Sequence, residues 1–255
     1  MTIKIIIPAK VNSARLPDRA LAAFLKDSEH GKPMIWSVYQ TALATGVGRD
    51  NIVVATDSLD IAIMMQASGV QVRMINADTS DTNTVADVIA TMNWSPATLV
   101  IKIPSDQPLI TSTMINAMIA RLRCDSDSVV TLSCPLASVR DMANPSVVKV
   151  ATDVSGRALF FSRSVVSQQP SGAQQFNHPA ESNPWQQHIA VFGYRNDVAM
   201  ALANAPIAPL ERLEYIEALR ALSLGYRVNV MPLPLIDASA TSATAQQVVA
   251  LEQTR

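Results

Sequence analysis

Several functional classes are disfavoured by what this sequence lacks. Of its 255 residues, two are cysteine and three are histidine. Cys124 and Cys134 form no Cys-x-x-Cys and have no neighbouring histidine, so two reduced, buried thiols are expected rather than a disulfide framework. His30, His178 and His188 are scattered, with no His-x-x-x-His or His-x-Glu spacing, which argues against zinc. There is no Gly-x-Gly-x-x-Gly and no Gly-Lys-Ser/Thr, so neither the dinucleotide fingerprint nor the P-loop is present. No Gly-x-Ser-x-Gly elbow exists, which argues against an α/β-hydrolase. An excess of one charge is also missing. Twenty basic residues face twenty-one acidic ones, for a net charge of −1, so there is no electrostatic footprint for nucleic acid or an anionic membrane. No apolar run approaches the roughly 20 residues of a membrane span; Ala221–Ile236, for example, is broken by Gly, Arg, Asn and Pro. The N-terminal apolar run is too short for a signal peptide and reads as a first strand. A cytoplasmic protein is expected.

What is present is a chain that is 49% hydrophobic and 16% charged. At this length roughly three quarters of the unfolded surface can be buried, which supports a substantial core. Ile3–Ala9 is a continuous isoleucine-rich run, as expected of a strand buried on both faces. Helical spacing over Pro33–Thr45, a β-branched run at Asn51–Thr56, a helix at Ser58–Ser68 and a strand at Val70–Ile75 follow. A helix at Thr84–Trp94, a strand at Thr98–Ile103 and a helix at Thr111–Arg123 complete the first part. Such alternation implies right-handed crossovers and a mainly parallel sheet with helices on both faces. After Asp125 the pattern changes. Val129–Cys134, Val147–Ala151, Ala158–Ser162 and His188–Tyr194 read as additional antiparallel strands, and polar Ser167–Gln187 as a long surface loop. A helix at Leu210–Leu224, a strand at Arg227–Met231 and a helix at Thr244–Gln253 close the chain. The expected class is α/β, with residues 1–255 as one domain and 126–195 as added strands and loop, a possible dimerisation or sugar-side region.

In a parallel sheet ligands bind at the carboxyl ends of the strands, so the residues that follow each strand carry the most information. After the first strand come Pro8, Ala9, Lys10, Ser13, Arg15 and Arg19. Three cations in ten residues beside turn N–H groups could cradle a polyphosphate; an ordinary charged surface loop is the other reading. Asp106 follows the fourth strand and Asp237 a late one. Two such carboxylates could share a magnesium–phosphate site, although a Ser-Asp turn capping a helix accounts equally for Asp106. Glu211, Glu214 and Glu217 fall at helical spacing and read as a solvated face.

Taken in order, these segments resemble the sugar-acid cytidylyltransferases, and the 3-deoxy-manno-octulosonate (Kdo) cytidylyltransferase family most. The likeness is carried by Ile7-Pro8-Ala9-Lys10-x-x-Ser13-x-Arg15-Leu16-Pro17, Gly31-Lys32-Pro33, Val54-Ala55-Thr56-Asp57 and Asp106-Gln107-Pro108. It continues through Asn144-Pro145-x-x-Val148-Lys149, Ala158-Leu159-Phe160-Phe161-Ser162-Arg163, His188-Ile189 and Pro209-Leu210-Glu211-x-x-Glu214-x-x-Glu217. The resemblance implies a Rossmann-like nucleotidyltransferase sheet and transfer of CMP from CTP to a Kdo-like 2-keto sugar acid with release of pyrophosphate. It implies that Pro8, Ala9, Lys10, Ser13, Arg15 and Arg19 bind the nucleotide, and that Asp106 and Asp237 hold Mg²⁺. Arg15 joins these two aspartates in the chemistry, while Arg163, His188 and Glu217 face the sugar acid. A homodimer is a further expectation. The sequence departs from the family where Pro104, Phe192 and Ala218 replace polar residues and where Asp81-Thr82-Asn83-Thr84-Val85 replaces a Ser-Gly-Thr-Glu/Asp-Arg run. These replacements imply a carboxylate-bearing acceptor other than Kdo, or Kdo as a weak one. A nucleotidyltransferase for another acid or nucleotide, or a silent ligand-binding paralogue, are the alternatives.

Overall fold

The computed structural model describes residues 1–10, 33–125, 128–136, 139–164 and 185–233. Ser13, Arg15, Arg19, Asp237 and the expected helix at Thr244–Gln253 lie outside the described residues, as does all but the end of the expected loop at Ser167–Gln187.

Strand β1 (Ile3–Ala9) shows how the sheet is organised. Side chains alternate across a strand. Ile5 and Ile7 therefore enter one apolar layer with α1 (Met34–Ala44), α2 (Leu59–Ala67) and α4 (Ser112–Cys124). Ile6 enters the opposite layer with α3 (Asp81–Met92). The isoleucine run is apolar on both faces because both faces are covered. β1 pairs in parallel with β2 (Ile52–Thr56) and β4 (Leu99–Lys102), and β2 with β3 (Gln71–Met74). α2, α3 and α4 start at hydroxyl caps. Ser58 accepts from the Ile61 N–H, Ser80 from Asn83 and Thr111 from Met114.

The second part comprises β5 (Val129–Pro135), the short α5 (Val139–Ala143), β6 (Lys149–Thr152), β7 (Ala158–Ser162), β8 (Trp185–Arg195), α6 (Asn196–Asn204), α7 (Pro209–Glu214), α8 (Ala218–Ser223) and β9 (Val228–Pro232). Among the described residues the nine strands form one sheet of order β3-β2-β1-β4-β8-β5-β9, with β6 paired to β8 and β7 to β6. β8 lies antiparallel between β4 and β5. Gly193 allows this insertion. A Cβ there would stand 2.7 Å from Leu122 Cδ1 and 2.8 Å from Ile101 Cδ1, so a larger residue would require both side chains to shift.

The α/β class with a mostly parallel, helix-covered sheet agrees with the sequence reading, and four details differ. Val129–Cys134 is no added antiparallel strand. β5 pairs antiparallel with β8 but parallel with β9, so it runs in the direction of β1. β8 is longer than expected and takes in Trp185–Gln187 from the predicted loop. The predicted helix over Leu210–Leu224 is two helices, broken where Tyr215 adopts a left-handed conformation (φ 55°). Cys124, expected to be buried, is exposed at the end of α4, and only Cys134 is buried. No helix among the described residues is long and apolar enough to cross a membrane.

Candidate active site

The carboxyl edge of the sheet has a built-in gap. One side of β8 pairs with β4 at Phe192–Arg195 and with β6 at Trp185–Gln187. The His188 N–H then donates to the Val148 carbonyl at 2.8 Å. Over Ile189–Val191 that side of β8 has no strand partner among the described residues. β4 therefore ends, and β6 begins, on either side of a break at the level where parallel strands present their carboxyl ends. Open α/β sheets place ligands outside the carboxyl ends of the strands where strand order reverses, which in this sheet is between β1 and β4.

The residues expected on the nucleotide side that can be described stand at the end of β1. Pro8 and Ala9 are buried, and the Pro8 carbonyl accepts from the Ser105 N–H at 3.1 Å. That bond ties the turn carrying Asp106 to the end of β1. Lys10 leaves the strand, donates to the Thr79 carbonyl and lies 3.6 Å from the Asp81 carboxylate. Asp106 is half-buried in its turn, and the neighbouring Gln107 carries a buried Oε1 with no partner among the described residues.

On the other side of the gap, His188 is 9% exposed and fixed by its neighbours. Its ring meets Phe161 edge-on at 4.8 Å and Phe192 at 5.4 Å. Its Nε2 lies 2.9 Å from Thr131 Oγ1. That hydroxyl also lies within hydrogen-bond distance of the Val191 and Ile189 carbonyls, at 2.8 and 3.2 Å. Arg163, at the end of β7, spends much of its guanidinium on backbone. It donates to the carbonyls of Glu214 at 2.6 Å and Pro145 at 2.9 Å. Beside it the Lys149 ammonium donates to the Asn144 carbonyl at 3.0 Å and to the Arg163 carbonyl, and burial pulls its pKa down.

Sequence reasoning missed the residue that joins the two sides, Lys102. It is the last residue of β4, its side chain is 4% exposed, and its ammonium lies 2.9 Å from Glu217 and 3.7 Å from Asp81. Phe192, its partner across β4 and β8, places its ring 4.8 Å from the ammonium. Burial acts to lower the Lys102 pKa. The Glu217 and then the Asp81 carboxylates outweigh burial and hold it above the ordinary lysine value. Burial acts to raise Glu217, but Lys102, together with the Thr82 N–H at 2.9 Å, keeps it below the usual carboxylate value. That N–H belongs to the first turn of α3, where no intrahelical acceptor exists, so Glu217 also caps α3. The signal for Lys102 was a cation inside an apolar strand run, which requires a buried carboxylate partner.

The three glutamates expected on a solvated helix face have separate buried or half-buried partners. Glu211 holds Arg220, Glu214 holds Ser162 and Arg163, and Glu217 holds Lys102 and Thr82. The reason is the left-handed corner at Tyr215, which turns Glu217 off the helix that carries the other two.

Known proteins resemble this arrangement from end to end. The family model described as cytidylyltransferase matches residues 4–230. The 3-deoxy-manno-octulosonate cytidylyltransferase of Erwinia tasmaniensis is 33% identical over 233 residues, 90% of each chain. A solved CMP:2-keto-3-deoxy-manno-octonic acid synthetase complexed with CTP superposes with a TM-score of 0.80 at 28% identity, covering 100% of this chain and 97% of that one. A cytidylyltransferase from Leptospira borgpetersenii serovar Hardjo-bovis shares the fold, with a TM-score of 0.62 at 15% identity over 99% of this chain and 85% of that one. The chain belongs to the cytidylyltransferase family, as a nucleotidyltransferase related to the 3-deoxy-manno-octulosonate enzymes.

Proposed function

We propose that this cytidylyltransferase transfers CMP from CTP to the anomeric hydroxyl of a Kdo-like 2-keto sugar acid and releases pyrophosphate. The observation that carries the reading is the break in the pairing of β8 beside Ile189–Val191, next to the end of β4, where the contacts Lys10–Asp81–Lys102–Glu217 and Lys102–Phe192–His188 meet. The relatives that are named for Kdo, and the one complexed with CTP, match over nearly the whole chain.

In this reading Lys10, with Ser13, Arg15 and Arg19 from outside the described residues, neutralises the triphosphate. Ammonium and guanidinium groups favour the charge that develops on the leaving pyrophosphate. Among the described residues no cluster of three His, Cys, Asp or Glu side chains gathers to hold a metal. One or two carboxylates completed by substrate phosphates suit Mg²⁺, and Asp106 at a central strand exit is such a donor. Asp106, with Asp237, would hold Mg²⁺, which supplies charge neutralisation and lowers the pKa of a coordinated hydroxyl. Glu217 accepts from hydroxyls of the acceptor, and His188 and Arg163 lie toward its carboxylate. Attack on the α-phosphorus then requires mainly alignment of the two substrates.

The acceptor preference differs from that of the family. Phe192 is spent on the Lys102 and His188 contacts and offers no hydroxyl, and Ala218 is buried. Kdo itself is therefore used less well than an amino- or deoxy-relative. Leu213 and Tyr215 are 76% and 79% exposed beside exposed Leu210, an apolar face that suits a second copy of the chain in a homodimer. A cytoplasmic location suits an enzyme that needs CTP, and fits Cys124 and Cys134 being thiols rather than a disulfide. The test is pyrophosphate release from CTP and Mg²⁺ with a panel of Kdo and its amino- and deoxy-relatives, with light scattering for the dimer. Release with none of the panel, despite CTP binding, would leave a silent ligand-binding paralogue or another acceptor class.

A further inference from the structure

We propose that Lys102 is a positioning residue for the acceptor: its buried ammonium holds the Glu217 carboxylate at the gap and so sets acceptor affinity. This rests on the reading of Glu217 as an acceptor ligand given above.

Lys102 cannot itself be the ligand. Its side chain is 4% exposed, and its ammonium lies between two carboxylates under the Phe192 ring. Glu217 can be. Its side chain is 25% exposed; Oε1 accepts from the Thr82 N–H and Oε2 from Lys102, both at 2.9 Å, and the Thr82 side chain adds a third donor. An ionised carboxylate has about four acceptor positions, so about one remains for a hydroxyl or ammonium donor of an acceptor. These protein donors fix the carboxylate plane and keep it charged. Without Lys102, Glu217 would lie near Asp81 with no cation between them, because Asp81's other close cation, Lys10, reaches it from the opposite oxygen. Repulsion would then drive Glu217 to rotate away or to take up a proton. In either case it would present a different face to the acceptor. The side chains of Phe192 and His188 continue the same packed row, so the orientation of Glu217 is linked to the far side of the gap.

The experiment measures pyrophosphate release and CTP dissociation constants for wild type and for Lys102→Met, Lys102→Arg, Glu217→Gln and Lys102→Met/Glu217→Gln. The acceptor is Kdo or, where an amino- or deoxy-relative is turned over faster, that relative. Lys102→Met is expected to raise acceptor KM about tenfold or more, the range of one charged hydrogen bond, while the CTP Kd stays within about threefold. Lys102→Arg is expected to restore part of the loss, because the cation returns in another geometry. In the double variant the losses are expected not to multiply, since removing the glutamate charge removes what Lys102 holds. Should Lys102→Met fail to fold, the double variant and Lys102→Arg carry the same test, because neither leaves an unpaired carboxylate. If Glu217→Gln raises acceptor KM and the Lys102 variants do not, or if the losses multiply, Lys102 is only structural and the proposal is wrong. If Glu217→Gln leaves acceptor KM unchanged, or no panel member is turned over, the acceptor reading of Glu217 fails and the proposal falls with it.

Discussion

Arg163 and Glu214 hold each other reciprocally. The Arg163 backbone N–H donates to the Glu214 carboxylate at 2.9 Å, and Arg163 Nε donates to the Glu214 backbone carbonyl at 2.6 Å. The Ser162 hydroxyl adds a third bond to the same carboxylate, at 2.9 Å. This brace joins the end of β7 to the residue before the left-handed corner at Tyr215, and so fixes where α7 stops.

Glu214→Ala removes the acceptor for the buried Ser162 hydroxyl and for the Arg163 N–H. An unsatisfied buried donor costs about 1–3 kcal/mol, and a loss of that size is expected in urea unfolding. Glu214→Gln retains acceptor capacity and should lose less. A change within about 0.5 kcal/mol for the alanine variant would mean that the corner is set by backbone alone.

Arg220 and Glu211 form a fork at 2.7 and 2.6 Å with both side chains almost fully buried, and Arg220 also donates to the Leu202 carbonyl at 2.9 Å. Arg220→Met strands a buried carboxylate and is expected to destabilise the fold by about 3–5 kcal/mol. Replacing both partners by apolar residues, as in Arg220→Met/Glu211→Leu, should cost less than the single change. A double variant less stable than Arg220→Met would show that the pair is worth more than its apolar replacement.

The Lys102–Glu217 pair makes stability depend on pH in a defined window. Glu217 is held below its ordinary value of 4.5, so its contribution is complete above that pH and is lost as pH falls below it. Lys102 is held above 10.5, so its contribution is complete below that pH and is lost only in stronger base. The stability difference between wild type and Lys102→Met/Glu217→Gln should therefore be constant between these values and change as the solution is made more acidic than about pH 4.5. Chemical denaturation at a series of pH values measures this. A difference that changes steadily between about pH 6 and 9, on the order of 1.36 kcal/mol per pH unit, would assign the titration elsewhere.

Asp106→Asn should fold normally, because the side chain is only half-buried, and should lose turnover by orders of magnitude. A magnesium titration of pyrophosphate release should lose its saturating rise in the variant, and a chelator should abolish release by the wild type. Near wild-type turnover with an unchanged magnesium dependence would make Asp106 a turn residue.

Much of the fold was legible because it follows from period and punctuation. The isoleucines of β1, and the caps Ser58 and Thr111 with the apolar spacing behind them, need no tertiary information. What was not legible depends on tertiary contacts. A tyrosine in the left-handed region has no sequence signature, so the corner at Tyr215 was read through as helix, and the glutamates around it as a solvated face. α6 went unread because its apolar positions, Val198, Ala199 and Leu202, span barely one turn, and α3 supplies the surface that they bury against. Of the candidate site, the order of motifs puts forward Lys10, Asp106, Arg163, His188 and Glu217. Lys102 was hidden inside a strand run, and only the pairing of β4 with β8 brings it beside Phe192.

The antiparallel seating of β8 also sets the order in which the chain can complete itself during synthesis. β4 and β5 are adjacent in sequence but not in the sheet, and the strand that separates them begins only at Trp185. Until a ribosome has released that segment, both strands present open backbone edges to their surroundings. Exposed edges of this kind recruit other chains. A nascent or truncated product that stops short of β8 is therefore expected to depend on chaperone protection and to sediment with aggregates, whereas extension through Arg195 supplies the missing partner to both edges at once.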